Sequence, residues 1–98
     1  MTTVADRLRE VRTKIDTAFE VVRADHGASP VLTAVVSEFA KKAEKAAGVE
    51  DEREAVIELE QAGDSAKVAA EADAGASDAT REAVLDAHLA ICVAKSKL

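Results

Sequence analysis

Two side chains with reactive chemistry lie near the C-terminus, in the stretch DAHLAICVAK. His88 and Cys92 are four residues apart, so on a helix they project from the same face. Imidazole and thiolate groups bind soft metal ions, and both take part in nucleophilic and proton-transfer reactions. This pair is therefore the first candidate for a metal site or a catalytic site.

The residues that accompany this pair do not favour a metal site within one chain. A tetrahedral site needs three or four protein ligands, whereas the sequence has one cysteine and only one further histidine, His26. Di-iron helical bundles carry Glu-x-x-His motifs. Here Leu85 stands three residues before His88, and Arg23 stands three residues before His26. We therefore expect no metal and no other cofactor.

The surroundings of His88 resemble those of the phospho-acceptor in histidine phosphotransfer domains. Those domains are acidic helical bundles of similar size, with an exposed histidine in the pattern AHxLKG. The present sequence reads AHLAIC, with Ile91 at the position of the lysine and Cys92 at that of the glycine. The resemblance implies a signalling domain with His88 as phospho-acceptor, and this is the alternative function.

A second short stretch, AGDSA at 62–66, resembles the GxDSL motif of acyl carrier proteins, in which the serine carries phosphopantetheine. Those proteins are also small, acidic and four-helical. Ala66 stands where that motif has leucine, and the glycine directly precedes Asp64. The resemblance implies Ser65 as an attachment site, whereas the simpler interpretation is a polar surface turn beside Gly63.

The elements that hold these residues are predicted helices, and capping residues mark their ends. Ser29 followed by Pro30 is typical of a helix start, as is Ser77 followed by acidic residues. Three glycines each follow a helical pattern and are expected to end helices in the left-handed conformation. They are Gly27, Gly48 and Gly75. The predicted helices span about 3–25, 30–47, 51–74 and 78–97.

Apolar residues recur at steps of three and four along each predicted helix, which indicates one buried stripe per helix. In the third helix Gly63 falls in register with this stripe, so a continuous or kinked helix is favoured over a break at AGDS. Four such helices with short connections predict an all-α fold, an antiparallel four-helix bundle.

A shift of 48 residues places GAS at 27–29 on GAS at 75–77. The stripes of the first two helices then fall on those of the last two, with Thr80 as a polar exception. Either a true duplication or two hairpins with similar loops explains this match. The chain is thus predicted to be one domain, 1–98, of two tandem αα-hairpins, 1–49 and 50–98.

Composition excludes several classes of function. With a net charge of -6 and 2% aromatic residues, the chain is not expected to bind nucleic acid or an anionic membrane surface. No apolar run approaches the roughly 18 residues of a membrane span, and a single cysteine allows no intrachain disulfide. We expect a cytoplasmic protein. Since there is no nucleophile elbow or Gly-rich phosphate loop, we infer no small-molecule substrate and expect no enzyme.

Apolar residues outside the buried stripes are concentrated in the third and fourth helices. In a four-helix bundle no helix is central, so a helix that is apolar on two sides is expected to contact another chain. Scattered surface hydrophobic residues are the alternative explanation. The predicted interface residues are Ile57, Val68, Leu85, Leu89, Cys92 and Val93.

His88 shares a row with Arg81 and Lys95, each seven residues away, at the flank of the buried stripe. Nearby cations oppose protonation of a histidine and repel metal ions. We therefore interpret His88 and Cys92 as the boundary between the core and an interface. The predicted function is a non-catalytic interaction or structural module that forms a homodimer or binds a protein partner.

Overall fold

The computed structural model describes residues 3–46 and 51–97, and within these ranges the chain forms four α-helices and no strand. The helices are α1 (Val4–Ala24), α2 (Pro30–Ala46), α3 (Glu52–Ala72) and α4 (Asp78–Ser96). The predicted all-α fold is confirmed, and the predicted helix ends that fall on described residues are correct to within two residues. The predicted end of the second helix, at 47, lies outside the described residues. Gly48 lies outside the described residues.

Polar side chains cap the first turn of each helix. Thr3, Ser29, Asp51 and Ser77 each accept a hydrogen bond from the backbone N–H three residues further on, at 3.1–3.2 Å. Such a bond satisfies one of the free donors at a helix start. The predicted starts at Ser29 and Ser77 are therefore confirmed.

The core lies among the four stripes of apolar residues. α1 and α3 each pack against both α2 and α4, whereas α1 and α3 have little contact with each other. The largest fully buried side chains include Phe39, Ile15, Leu32, Leu59 and Ile91. Among the four described helices, none combines the length and the apolar character that crossing a bilayer would require.

α3 runs without interruption through Gly63, as the stripe predicts. A Cβ atom at this position would lie 3.2 Å from the Phe39 ring and 3.4 Å from both His88 and Ile91. Glycine therefore lets α3 approach its neighbours closely. The alternative of a polar surface turn beside Gly63 is wrong, because these residues are helical.

The conformation predicted for Gly27 and Gly75 is also wrong, since no described glycine has a positive φ. α1 and α3 end instead at Asp25 and Asp73, which are in extended conformations. The two glycines face each other, and a Cβ atom on either one would overlap the carbonyl oxygen of the other. Glycine is needed here for close backbone approach rather than for a left-handed turn.

The segments 25–29 and 73–77, here called the loop pair, bind each other reciprocally. The Asp25 carboxylate accepts a hydrogen bond from the backbone N–H of Ser77 at 2.9 Å, and Asp73 accepts one from Ser29 at 2.8 Å. Each aspartate also accepts a bond from the N–H two residues on, at 2.9 and 3.0 Å. Residues related by the 48-residue shift therefore make equivalent contacts.

The two halves of the loop pair differ at one buried position. Thr80, which is fully buried, donates a hydrogen bond from Oγ1 to Asp25 at 2.6 Å. Leu32 stands at the equivalent position, 48 residues before Thr80, and has no hydroxyl to donate. Hydrogen bonds from Ser77, Thr80 and the loop backbone lower the pKa of Asp25 to about 2. The backbone N–H of Ser29 is the main cause that lowers the pKa of Asp73.

Candidate functional site

Three apolar side chains, Leu85, Leu89 and Val93, form what we call the outer face of α4. They follow one another at steps of four residues and are 37%, 61% and 42% exposed. The opposite side of the helix is buried in the core through Val84 and Ile91, which are 0% exposed. α4 is therefore apolar on two opposite sides, and the chain covers only one of them.

Toward α1, the outer face continues into a shallow groove between α1 and α4. Leu89 and Val93 form part of its wall. The other lining residues are Arg7, Glu10, Val11, Lys14, Asp86, Ala90 and Ala94. An apolar strip with charged residues at its edge is the usual anatomy of a protein interface.

Toward α3, the outer face is bounded by a row of polar contacts, here called the polar seam. The row Arg81, His88 and Lys95 on α4 meets oxygen atoms of α3 and the residue that follows it. The partners are the Asp73 carbonyl oxygen for Arg81 (2.7 Å), the Asp64 carboxylate for His88 (2.6 Å) and the Glu60 carboxylate for Lys95 (2.8 Å). Its hydrogen bond with Glu60 raises the pKa of Lys95.

Sequence reasoning identified this row but missed its partners. It placed only the cations Arg81 and Lys95 near His88, whereas the Asp64 carboxylate faces the imidazole ring. The partner belongs to another helix, and how that helix is rotated follows from tertiary packing rather than from local spacing. The sequence feature that could have indicated these partners is the pair Glu60 and Asp64, which stand four residues apart on one side of α3.

The predicted interface residues of α3 lie apart from the outer face of α4. Ile57 and Val68 are exposed, at 39% and 65%. On a helical wheel they stand beyond Glu60 and Asp64 as seen from α4. The polar seam therefore separates them from the outer face, and the structure brings together only the predicted residues on α4.

The remaining predicted interface residue, Cys92, packs against the His88 ring at the edge of the outer face. Its Sγ lies 3.7 Å from Nε2 and 4.0 Å from Nδ1, within hydrogen-bond distance of sulfur for both ring nitrogens. Burial, together with the charges of Glu60 and Asp64, raises the pKa of the Cys92 thiol. A thiol that stays protonated is a poor nucleophile and a poor metal ligand, so this pair supports packing rather than reaction.

The other chemical candidates are placed as follows. The His88 side chain is 17% exposed, and its Nε2 faces Asp64, which leaves little of the ring open to a phosphodonor. Ser65 is exposed in the middle of α3 and donates to the Gln61 carbonyl oxygen at 3.2 Å. Within residues 3–46 and 51–97, no group of three or more His, Cys, Asp and Glu side chains could hold a metal ion.

Comparison with known proteins adds no family assignment. No family model matches the sequence, and no curated protein or solved structure matches it. The candidate site is therefore defined by this chain's own residues, and it is the outer face of α4.

Proposed function

We propose that this chain is a non-catalytic helical interaction module that self-associates through the outer face of α4. The observation that carries the proposal is the unbroken line of Leu85, Leu89 and Val93, exposed on a helix whose other side is already in the core. Covering apolar surface contributes about 25 cal/mol per Å². Association with a second copy that buries these three side chains is therefore favourable, whereas in the single chain they stay in contact with water.

The scaffold in this proposal is an antiparallel four-helix bundle made of two αα-hairpins. Two contacts between α3 and α4 support opposite helix directions, because Glu60 contacts Lys95 whereas the later residue Asp64 contacts the earlier residue His88. The short connections and the reciprocal loop pair support two similar hairpins. In such a bundle each helix keeps one side toward solvent, and on α4 that side is apolar.

The proposal also includes a cytoplasmic location and no binding of nucleic acid, membranes or small molecules. The net charge of -6 and the single cysteine support it. Phosphotransfer at His88 stays a prediction that no observation favours. Covalent labelling of the folded protein by a small phosphodonor, with His88→Gln as the control, tests that alternative.

The proposed self-association is tested by placing charge on the outer face. We expect the double variant Leu89→Lys and Val93→Glu to remain helical by circular dichroism but to elute as a monomer, with its mass measured by light scattering. Val31 on α2 is 68% exposed, so Val31→Lys is a matched control that should keep the native mass. A double variant that self-associates as the unmodified chain does contradicts the proposal.

A further inference from the structure

We infer that the second copy docks with its α4 antiparallel to α4 of the first, the two helices meeting at Leu89. This inference rests on the proposed self-association and specifies its geometry. A symmetric dimer presents the same surface twice. Two α4 helices that pair along their lengths about a twofold axis run either parallel or antiparallel.

Apolar contacts alone do not distinguish these two directions. Leu89 is the middle residue of the outer face and meets its own copy in both. A parallel pair places Leu85 against Leu85 of the second copy, whereas an antiparallel pair places it against Val93 of the second copy. Both arrangements cover all three side chains of the outer face.

Charge on the outer side of α4 selects the antiparallel direction. Glu82 and Ser96 lie seven residues before and after Leu89 and are exposed, and a seven-residue step returns to the same side of a helix. The acidic residue Asp78 precedes this stretch, and the basic residue Lys97 follows it. The outer side of α4 is therefore acidic in its N-terminal half, where Asp86 also lies beside Leu89 in the groove lining. The basic residue Lys97 stands at the C-cap, just past the end of the helix.

A parallel pair would bring Glu82 against Glu82 and Asp78 against Asp78 of the second copy. Like charges placed together across an interface are unfavourable. An antiparallel pair instead brings Glu82 opposite Ser96 and close to Lys97 of the second copy. It also places each helix N-terminus near the C-terminus of its partner, which is the favourable arrangement of the helix dipoles.

Lys95 does not face the second copy in this arrangement, because its ammonium group lies in the polar seam. Its Nζ lies 2.8 Å from the Glu60 carboxylate on α3, on the side of α4 that faces away from the groove with α1. Among the described residues after Leu89, Lys97 is the other cation, and it is exposed.

Disulfide cross-linking of the full chain tests the direction of pairing. Each variant carries Cys92→Ser, so that the introduced cysteine is the only thiol. Leu89→Cys should form a disulfide-linked dimer in either direction, several-fold above Val31→Cys, which measures random collision. If Leu89→Cys cross-links no more than this control, the proposed self-association itself is overturned.

Glu82→Cys and Ser96→Cys then distinguish the two directions. In the antiparallel pair each of these positions lies about 21 Å along the axis from its own copy, because fourteen helical residues rise 1.5 Å each, too far for a disulfide. We expect little cross-linking in either variant alone and several-fold more when the two are mixed. Self-cross-linking of Glu82→Cys, or no gain on mixing while Leu89→Cys cross-links, overturns the antiparallel arrangement and leaves self-association standing.

Discussion

The loop pair and the outer face of α4 differ in where their groups find partners. In the loop pair, Asp25 and Asp73 are bound by N–H groups of the same chain, including those of Ser77 and Ser29. On the outer face of α4, Leu85, Leu89 and Val93 remain 37–61% exposed. The loop pair stabilises the single chain, whereas burial of the outer face can contribute free energy only when two chains associate.

Substitutions in the two regions are therefore expected to change two different measured quantities, stability and association. Substitutions in the loop pair should change the free energy of unfolding and leave the outer face able to associate. Substitutions on the outer face should change association and leave the monomer about as stable, since surface replacements usually alter stability by less than about 0.5 kcal/mol.

The largest effect is expected for Gly27→Ala. Its Cβ would overlap the carbonyl oxygen of Gly75, and both are backbone positions that cannot rotate away. Overpacking of this kind costs about 1–3 kcal/mol, and each kcal/mol lowers Tm by roughly 4–8 °C in a domain of this size. Thermal unfolding followed by circular dichroism measures it. Gly75→Ala should have a similar effect, and native Tm values for both variants would contradict the close approach.

A smaller loss of stability is expected for Thr80→Val, which keeps the shape of the side chain but removes the donor to Asp25 and the acceptor for the Ser77 hydroxyl. The loss of one such hydrogen bond costs on the order of 1 kcal/mol. Thr17 is a matched control, because its exposed Oγ1 donates only to the Thr13 carbonyl oxygen within α1. Equal unfolding free energies for Thr80→Val and Thr17→Val in urea titrations would contradict the assigned role of Thr80.

Acid should weaken the loop pair in a defined pH range. The pKa of Asp25 in the folded chain is about 2, below its usual value of 3.8, and that of Asp73 is lowered as well. Because the folded state favours the ionised carboxylates, their contribution is complete above about pH 4 and is lost as the pH falls toward 2.

Urea unfolding between pH 2 and pH 5 checks this dependence, with Asp25→Asn as the comparison. The variant should be less stable than the native chain at pH 5 but should lose less stability on acidification to pH 2. If the two chains lose stability in parallel, the ionised Asp25 carboxylate is not a source of the acid sensitivity.

The smallest expected effect is on the strength of association. In the antiparallel pair, Glu82→Lys places a cation near Lys97 of the second copy and should weaken dimerisation several-fold, with little change in Tm at low protein concentration. Adding Lys97→Glu should restore most of the affinity. Dissociation constants from sedimentation equilibrium measure this. The absence of any rescue by the double variant would argue against pairing between these two ends of α4.

The sequence predicted what local spacing determines. The helix ends at Ser29 and Ser77 follow from capping chemistry, and the continuous path through Gly63 follows from its place in the apolar stripe. The exposed residues Leu89 and Val93 were also identified in this way, because they stand opposite the buried side of a helix.

The missed features all depend on contacts between distant parts of the chain. The repetition of GAS in both loops was visible in the sequence, but the contact between the two loops was not. That contact shows that Gly27 is needed for close backbone approach rather than for a left-handed conformation. Likewise, Asp64 is an ordinary surface acid by its spacing, and only the packing of α3 on α4 places it against His88.

The most direct test of the proposed function is sedimentation equilibrium of the unmodified chain, from low to high micromolar concentration. Self-association through the outer face of α4 predicts that the mass rises with concentration toward twice the monomer mass, and that the Leu89→Lys, Val93→Glu variant stays at the monomer mass throughout. A native chain that remains a monomer at high micromolar concentration would contradict the proposal.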